Sequence, residues 1–320
     1  MKALPYRLGV NVRKQAGLAQ REAVGLDEYV EEIKSGLPEF RFNSINILGE
    51  GWDHIALECD GVIFRLPKGH KRNDKRQAHV QYEVAALKLL QGKLPVAAPH
   101  PIYVSRNLDF FGYIHIPGSL AVDIVRTMKS DEKEKYREYW TELVIGIHQA
   151  ISYKRALSIG VPEFNINKYT LSAKKLVDRK DIPEVIQKFA RQRVKAITDM
   201  GTNKSNWVFI HGDFHGRNIL LDTNTRQPTG IIDWSDMKIA PVEVELSVLE
   251  GPMKEDFPDY MEKAAKVYEA RTGKPVDPKL AKALRHVFEL HIYNHRLERQ
   301  LTEEVNESEV KLFEWARQYT

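Results

Sequence analysis

The chain carries two hydrophobic periodicities, and they occupy different halves. That segregation limits its fold more than any other feature. Between residues 42 and 118 apolar and polar side chains alternate, whereas from Ser130 onward apolar positions recur at helical spacing. "FNSINILGEGWDHIALECDGVIFRLPK" alternates around Gly49-Glu50-Gly51 and Asp60-Gly61, which predicts three strands joined by two tight turns. "HPIYVSR" and "FFGYIHIPG" predict two more strands. Between the two groups, "HVQYEVAALKLLQGKL" returns to helical spacing through Val80, Val84, Leu87 and Leu90. Ahead of them, Leu26, Tyr29, Val30, Ile33 and Leu37 share one helical face. Strands first and helices afterwards read as an α+β protein with an N-terminal antiparallel sheet and one helix, then a larger, mainly helical part.

The helical part opens with "SDEKEKYREYWTELVIGIHQAI", which offers Ser130 as an N-cap, acids in the first turn, and a stripe through Tyr136, Trp140, Leu143, Val144, Ile147 and Ile151. "PEVIQKFARQRVKAITDM" predicts another helix, and residues 242–320 are mostly helical in pattern. With 320 residues the chain is long enough for two lobes, and Pro117-Gly118-Ser119 marks the expected boundary between domains 1–118 and 119–320. A net charge of +4 is mild and argues against a dedicated nucleic-acid partner. The single cysteine, Cys59, forbids an internal disulfide, suits a reducing compartment and reads as a small strand residue. No apolar run approaches the roughly 20 residues of a membrane span, and the N-terminus lacks a signal-peptide core, so a cytoplasmic location is expected.

Three strand-like runs interrupt the helices: "WVFIHG", "NILLD" and "TGIIDW". Between the first two lies a polar knot, "VFIHGDFHGRNILLD", with His211, Asp213, His215, Arg217 and Asn218 within eight residues. Taken singly, each is a polar turn or a strand-terminal acid. Together, Asp213, Asn218 five residues on and Asp233 fifteen further suit phosphoryl transfer. One Asp can take or orient the proton of an acceptor hydroxyl. The Asn oxygen and the second Asp can hold Mg²⁺ against nucleotide phosphates, because magnesium prefers oxygen ligands.

"HGDFHGRNIL" and "IIDW" resemble the catalytic and magnesium-binding loops of the aminoglycoside phosphotransferase family, which shares the two-lobed protein-kinase fold. "LGEGWDHIALECDGVIFRLPK" resembles the nucleotide loop and following strands of the same family, especially its 2''-phosphotransferase branch. The resemblance covers residues 42 to about 250. It implies Asp213 as catalytic base, Asn218 and Asp233 as Mg²⁺ ligands, and Gly49 and Gly51 over the phosphates of ATP or GTP. It implies Glu83 as the helix acid that holds a basic residue on the third strand, and the backbone of Ile114 and Ile116 as the nucleotide-base contact. His211 matches a structural His of the loop. At the usual phosphate-gripping Lys stands Arg65, with Lys68 as a possible substitute three residues on. "SDMKIAPVEVELS" replaces the family's usual Gly-Asp-Pro and Asp-Leu, with Glu245 where the later Asp stands.

The resemblance implies an antibiotic kinase that confers resistance, with no nucleic-acid, membrane or obligate protein partner. Its expected acceptor is first an aminoglycoside, on the argument that residues 242–259 carry Glu243, Glu245, Glu250, Glu255, Asp256 and Asp259 against Lys254 alone and would draw in a polycation. "IIDWSD" and the His after "HGDF" resemble macrolide phosphotransferases, the alternative. A choline- or sugar-type kinase and a kinase-like binding module without turnover follow. The basic run 69–77 reads as a solvated loop, His148 as a core histidine, and His291 with His295 as an i, i+4 pair lacking a third metal ligand. Phe288, Tyr293, Phe313 and Trp315 read as core, any one of them able to line the acceptor pocket.

Overall fold

In a computed structural model, residues 26–50, 54–68, 74–198, 204–249 and 260–319 are described. They form two compact units: one of residues up to 84 plus 100–115, the other of residues 85–99 plus 116 onward.

The first unit is helix α1 (Leu26–Gly36) on a five-stranded antiparallel sheet. The strands are β1 (Asn46–Glu50), β2 (His54–Cys59) and β3 (Val62–Pro67), then, after helix α2 (Asp74–Leu90), β4 (Tyr103–Val104) and β5 (Phe111–Ile114). Their order is β1-β2-β3-β5-β4. The alternation in β2 buries Ile55, Leu57 and Cys59 on one face, in a core with Tyr29 and Ile33 of α1, Leu37 just after it, and Phe64 and Phe110. Cys59 is a buried strand residue whose thiol burial pushes up to about 12. The β2–β3 turn holds Asp60 and Gly61 in left-handed backbone, φ 49° and 85°. The Asp60 carboxylate accepts from the backbone of Asn43 and Ser44, tying the turn to the chain entering β1. One expectation is corrected: the basic run is not all loop, since Asp74 to Gln77 form the first turn of α2. Within that turn Arg76 approaches Glu32 of α1 at 3.8 Å.

The second unit begins with β6 (Ser119–Leu120), α3 (Ala121–Val125), α4 (Ser130–Ala150), α5 (Tyr153–Ser158), α6 (Ile166–Val177) and α7 (Glu184–Thr198). Then come β7 (Trp207–Ile210), β8 (Ile219–Leu221), β9 (Pro228–Ile231) and β10 (Lys238–Pro241), followed by α8 (Val242–Leu249), α9 (Tyr260–Thr272), α10 (Pro278–Glu298) and α11 (Thr302–Tyr319). The stripe foreseen on α4 is buried throughout. Ser130 is not its cap, however. It is the first helical residue, and the N–H of Lys129 reaches back to Glu132 Oε2 at 2.9 Å. Tyr293 and Trp315 join a core built by α6, α7, α10 and α11, with Phe313 packed against it. Strands β6, β8 and β9 make one small sheet and β7 with β10 another, so both strands flanking the polar knot are held by partners. Strand β10 has no clear alternating signal. It exists because Ile239 and Ala240 pair with Phe209 and Val208 of β7. Among the described residues no helix is long and apolar enough to cross a membrane.

Candidate active site

The polar knot is the loop from β7 to β8, and apolar anchors hold it. Phe214 is fully buried, with its ring 6.0 Å from Trp140 of α4 and 6.0 Å from His211. The His211 ring lies 4.5 Å from that of Trp234. Its Nδ1 accepts the Asp213 N–H at 3.3 Å, so Nε2 carries the proton and donates to the carbonyl of Ile232 at 3.0 Å. His211 therefore ties the Asp213 loop to the strand that leads into Asp233, the structural role expected of it. Gly212, between His211 and Asp213, sits at φ 84°, and a Cβ there would meet the backbone oxygen of Asp236 at 2.0 Å. Only glycine lets the two loops approach so closely.

Asn218 and Asp213 are locked together. The Asn218 Nδ2 donates to the Asp213 carbonyl at 2.8 Å and to Asp213 Oδ2 at 2.9 Å. With its amide nitrogen committed, Asn218 has its Oδ1 left to act as a ligand. His215 Nε2 lies 3.3 Å from the same Oδ2. Burial works to raise the Asp213 carboxyl, but the His215 ring, the His211 ring and the Asn218 amide together hold it below the usual carboxylate range. Asp233 reaches this neighbourhood through sheet register. Ile219 pairs with Ile231, and the Asn218 carbonyl accepts the Ile232 N–H at 2.8 Å, one residue before Asp233. Asp233 itself is exposed and left-handed, φ 61°, and Ser235 Oγ donates to its Oδ1 at 3.0 Å. Asp is among the side chains that tolerate that region of φ.

The acidic-patch argument is corrected in part. Glu243 and Glu245 are not surface charges; they are buried within and beside α8. Glu243 accepts the backbone N–H of Asp277, the N-cap of α10, and burial raises its carboxyl. Glu245 is fully buried and accepts the backbone N–H groups of His211 at 2.6 Å and Gly212 at 3.1 Å. Burial opposes ionisation of Glu245, yet the His148 and His211 side chains and those N–H donors hold its carboxyl below the usual range. His148 is the core histidine foreseen: Nε2 faces Glu245 Oε2 at 3.7 Å, and Nδ1 lies 2.9 Å from the Tyr268 hydroxyl. Glu250, Glu255, Asp256 and Asp259 lie outside the described residues. His291 Nδ1 is engaged with the Ser172 hydroxyl at 2.8 Å.

In the first unit, Arg65 Nη1 donates to Glu83 Oε1 at 2.7 Å, with both side chains largely buried. Glu83 thus takes Arg65 as its cation. Burial opposes the Glu83 charge, and Arg65, His79 and His54 outweigh it, so the carboxyl sits below its ordinary value. His54 Nδ1 lies 3.3 Å from Arg65 Nη2, and burial with the adjacent guanidinium lowers the His54 pKa to about 3, so the ring is neutral. Gly49 lies at an irregularity in the β1–β2 ladder, and a Cβ there would meet no atom of the described residues within 4 Å. Gly51 lies outside the described residues. Ile114 ends β5 opposite Val62. Because the next residue, His115, donates to Gly61, strand alternation turns the N–H and C=O of Ile114 toward the opposite edge of β5. Ile116 belongs to the second unit, buried against Gly230.

Sequence reasoning gave His215 no part in the chemistry, and it counted Glu245 as a surface charge at the place of the family's later Asp rather than as a buried acceptor. The signal for His215 was its place two residues past Asp213. For Glu245 it was an acid at the start of an otherwise apolar helix, "VEVELSVL".

No curated protein matches this sequence. Solved structures do match in fold. A GDP and kanamycin complex of APH(2'')-IIIa superposes with a TM-score of 0.73 at 22% identity, over 92% of this chain and 99% of that one. A streptomycin–ATP complex of APH(2'')-IIa gives 0.62 at 15% identity, over 93% and 97%. A macrolide 2'-phosphotransferase type I gives 0.62 at 18% identity, over 90% and 98%. Residues 48–281 match the phosphotransferase enzyme family. That span includes Arg65, Glu83, Asp213, Asn218 and Asp233 and most of the chain, and the protein is therefore a member of the phosphotransferase enzyme family, a kinase of the protein-kinase-like fold.

Proposed function

We propose that the protein transfers the γ-phosphate of ATP or GTP to a hydroxyl of an antibiotic, an aminoglycoside first, in the cytoplasm. The observation that carries this reading is the Asp213–Asn218 lock: one amide nitrogen holds both the carbonyl and the carboxylate of Asp213, which leaves the Asn218 oxygen for another partner. Asp213 serves as the base, taking the acceptor proton as the acceptor oxygen bonds to phosphorus and the bridging P–O bond to the β-phosphate breaks. Asn218 Oδ1 and the Asp233 carboxylate would hold Mg²⁺, being hard oxygen donors on adjoining chain segments. Mg²⁺ would neutralise phosphate charge. Arg65, held by Glu83, grips phosphate. Gly49 and Gly51 of the nucleotide loop lie over the phosphates, and the backbone of Ile114 and Ile116 takes the base.

The aminoglycoside ranking draws support from the higher TM-scores of the 2''-phosphotransferase IIIa structures, one of them with kanamycin bound. A macrolide 2'-phosphotransferase is the second reading. It is favoured by a half-buried aromatic wall of Tyr169 and Phe288, 4.7 Å apart, beside Phe164, whose N–H bonds to β10. The test is expression in a sensitive bacterium on a panel of aminoglycosides and macrolides, beside an Asp213→Asn variant. Resistance that vanishes in the variant is expected, with a rate loss on the order of 10² to 10⁴ for the purified enzyme. Resistance unchanged in the variant would overturn the assignment of the base.

A further inference from the structure

His215 has two ring nitrogens with two different jobs. Nδ1 accepts the backbone N–H of Arg217 at 3.1 Å, within the loop. An acceptor nitrogen carries no proton, so in the neutral ring the proton resides on Nε2. Nε2 lies 3.3 Å from Asp213 Oδ2, close enough for its N–H to reach that oxygen. Asn218 Nδ2 donates to the same oxygen. Among the described residues, both side-chain donors on this carboxylate therefore fall on Oδ2, and none falls on Oδ1. The His215 side chain is mostly covered, at 17% exposure, so its ring is held rather than free to swing.

We propose that His215 is a positioning residue for phosphoryl transfer: through Nε2–H it fixes the rotation of the Asp213 carboxylate so that Oδ1 faces the acceptor hydroxyl. This rests on the reading of Asp213 as the base. In the step itself, Oδ1 takes the hydroxyl proton while the acceptor oxygen bonds to the γ-phosphorus. The bond from that phosphorus to the β-phosphate bridging oxygen breaks, and nucleoside diphosphate leaves. Oδ2 keeps its two donors throughout, so the carboxyl need not rotate as it becomes the acid. A carboxylate fixed by one donor alone could still pivot about that contact, and misplacement of a base is costly because reaction requires close alignment. The turn bond at Nδ1 accounts for one ring nitrogen. It does not explain why the other nitrogen meets the base.

The two jobs can be separated by substitution. The Oδ1 of an asparagine at 215 can replace Nδ1 as acceptor for the Arg217 N–H, but nothing in it reaches Asp213. A glutamine can place an amide N–H near the position of Nε2. Initial rates are measured with ATP and with GTP at saturating Mg²⁺, with kanamycin, erythromycin or water as acceptor. Thermal unfolding is followed in parallel. For His215→Asn the expected result is a wild-type melting temperature, unchanged nucleotide KM, and kcat lower by on the order of tenfold to a hundredfold, the effect of losing a hydrogen bond to a charged group. His215→Gln should recover most of kcat.

Wild-type kcat in His215→Asn, or a loss in His215→Gln as large as in His215→Asn, would overturn the positioning role. Asp213→Asn separates this from the underlying reading. If that variant is inactive while His215→Asn is normal, only the role of His215 fails. If Asp213→Asn turns over normally, the base assignment itself fails.

Discussion

Removing the Glu245 carboxylate should destabilise the protein and slacken the catalytic loop together. Glu245 is fully buried and accepts two backbone N–H groups, from His211 and Gly212. In Glu245→Ala both donors lose their acceptor inside the core, and the His148 ring loses the carboxylate it faces at 3.7 Å. A buried unsatisfied donor costs about 1 to 3 kcal/mol, so two give about 2 to 6 kcal/mol before any cavity is counted. A domain is stable by only about 5 to 15 kcal/mol, so the variant sits near unfolding. Glu245→Gln keeps one acceptor oxygen but turns an NH₂ toward the donors, and its loss should be roughly half as large, about 1 to 3 kcal/mol. Urea unfolding at neutral pH measures both, and kcat of the folded Gln variant should fall with nucleotide KM unchanged.

The pH dependence has a definite sign. The folded carboxyl of Glu245 is depressed, so its contribution is present above the unfolded value of about 4.3 and is lost as pH falls through the lower folded value. The stability gap between wild type and Gln variant should therefore narrow below about pH 4.3. A Glu245→Ala variant within about 1 kcal/mol of wild type would refute the reasoning, because it would mean the two donors find other partners.

Other consequences are simpler to check. Gly212→Ala places a methyl 2.0 Å from the Asp236 carbonyl at φ 84°, so either the protein fails to fold or the Asp213 and Asp233 loops separate. Loss of soluble protein or of transfer is expected, and a stable, fully active variant would contradict the close approach. Asn218→Ala and Asp233→Ala should both raise the Mg²⁺ needed for half-maximal rate, Asp233→Ala more because it removes a charged ligand; a Mg²⁺ titration that is superimposable in all three proteins removes both from the metal. Arg65→Ala should raise nucleotide KM and strand the Glu83 charge, whereas Arg65→Lys should keep substantial activity. Harmless Arg65→Ala beside a damaged Lys68→Ala would show that phosphate is gripped three residues later.

Much of the site could be read from order alone. Asp213, Asn218 and Asp233 stand at strand ends, where local alternation gives way to polar residues, and those ends formed where the pattern placed them. Strands β1 to β3 and the buried face of α4 followed for the same reason: their side-chain period is a property of adjacent residues. Glu83 and Arg65 were paired by resemblance, and the fold brings them to 2.7 Å. What could not be read depended on partners far along the chain. β10 is a strand because β7 lies beside it. The acids at 243 and 245 look like surface charge in a sequence, yet both are buried, and Glu245 is held there by His148 and by two backbone donors 33 and 34 residues away. Gly212 is required by a carbonyl 24 residues on. That the Asn218 amide and the His215 ring both meet Oδ2 of Asp213 is decided by how the loop folds. Periodicity reports which side of an element is buried. Direction, satisfaction of buried hydrogen bonds and close approach are set by register between segments, and only the tertiary structure holds that information.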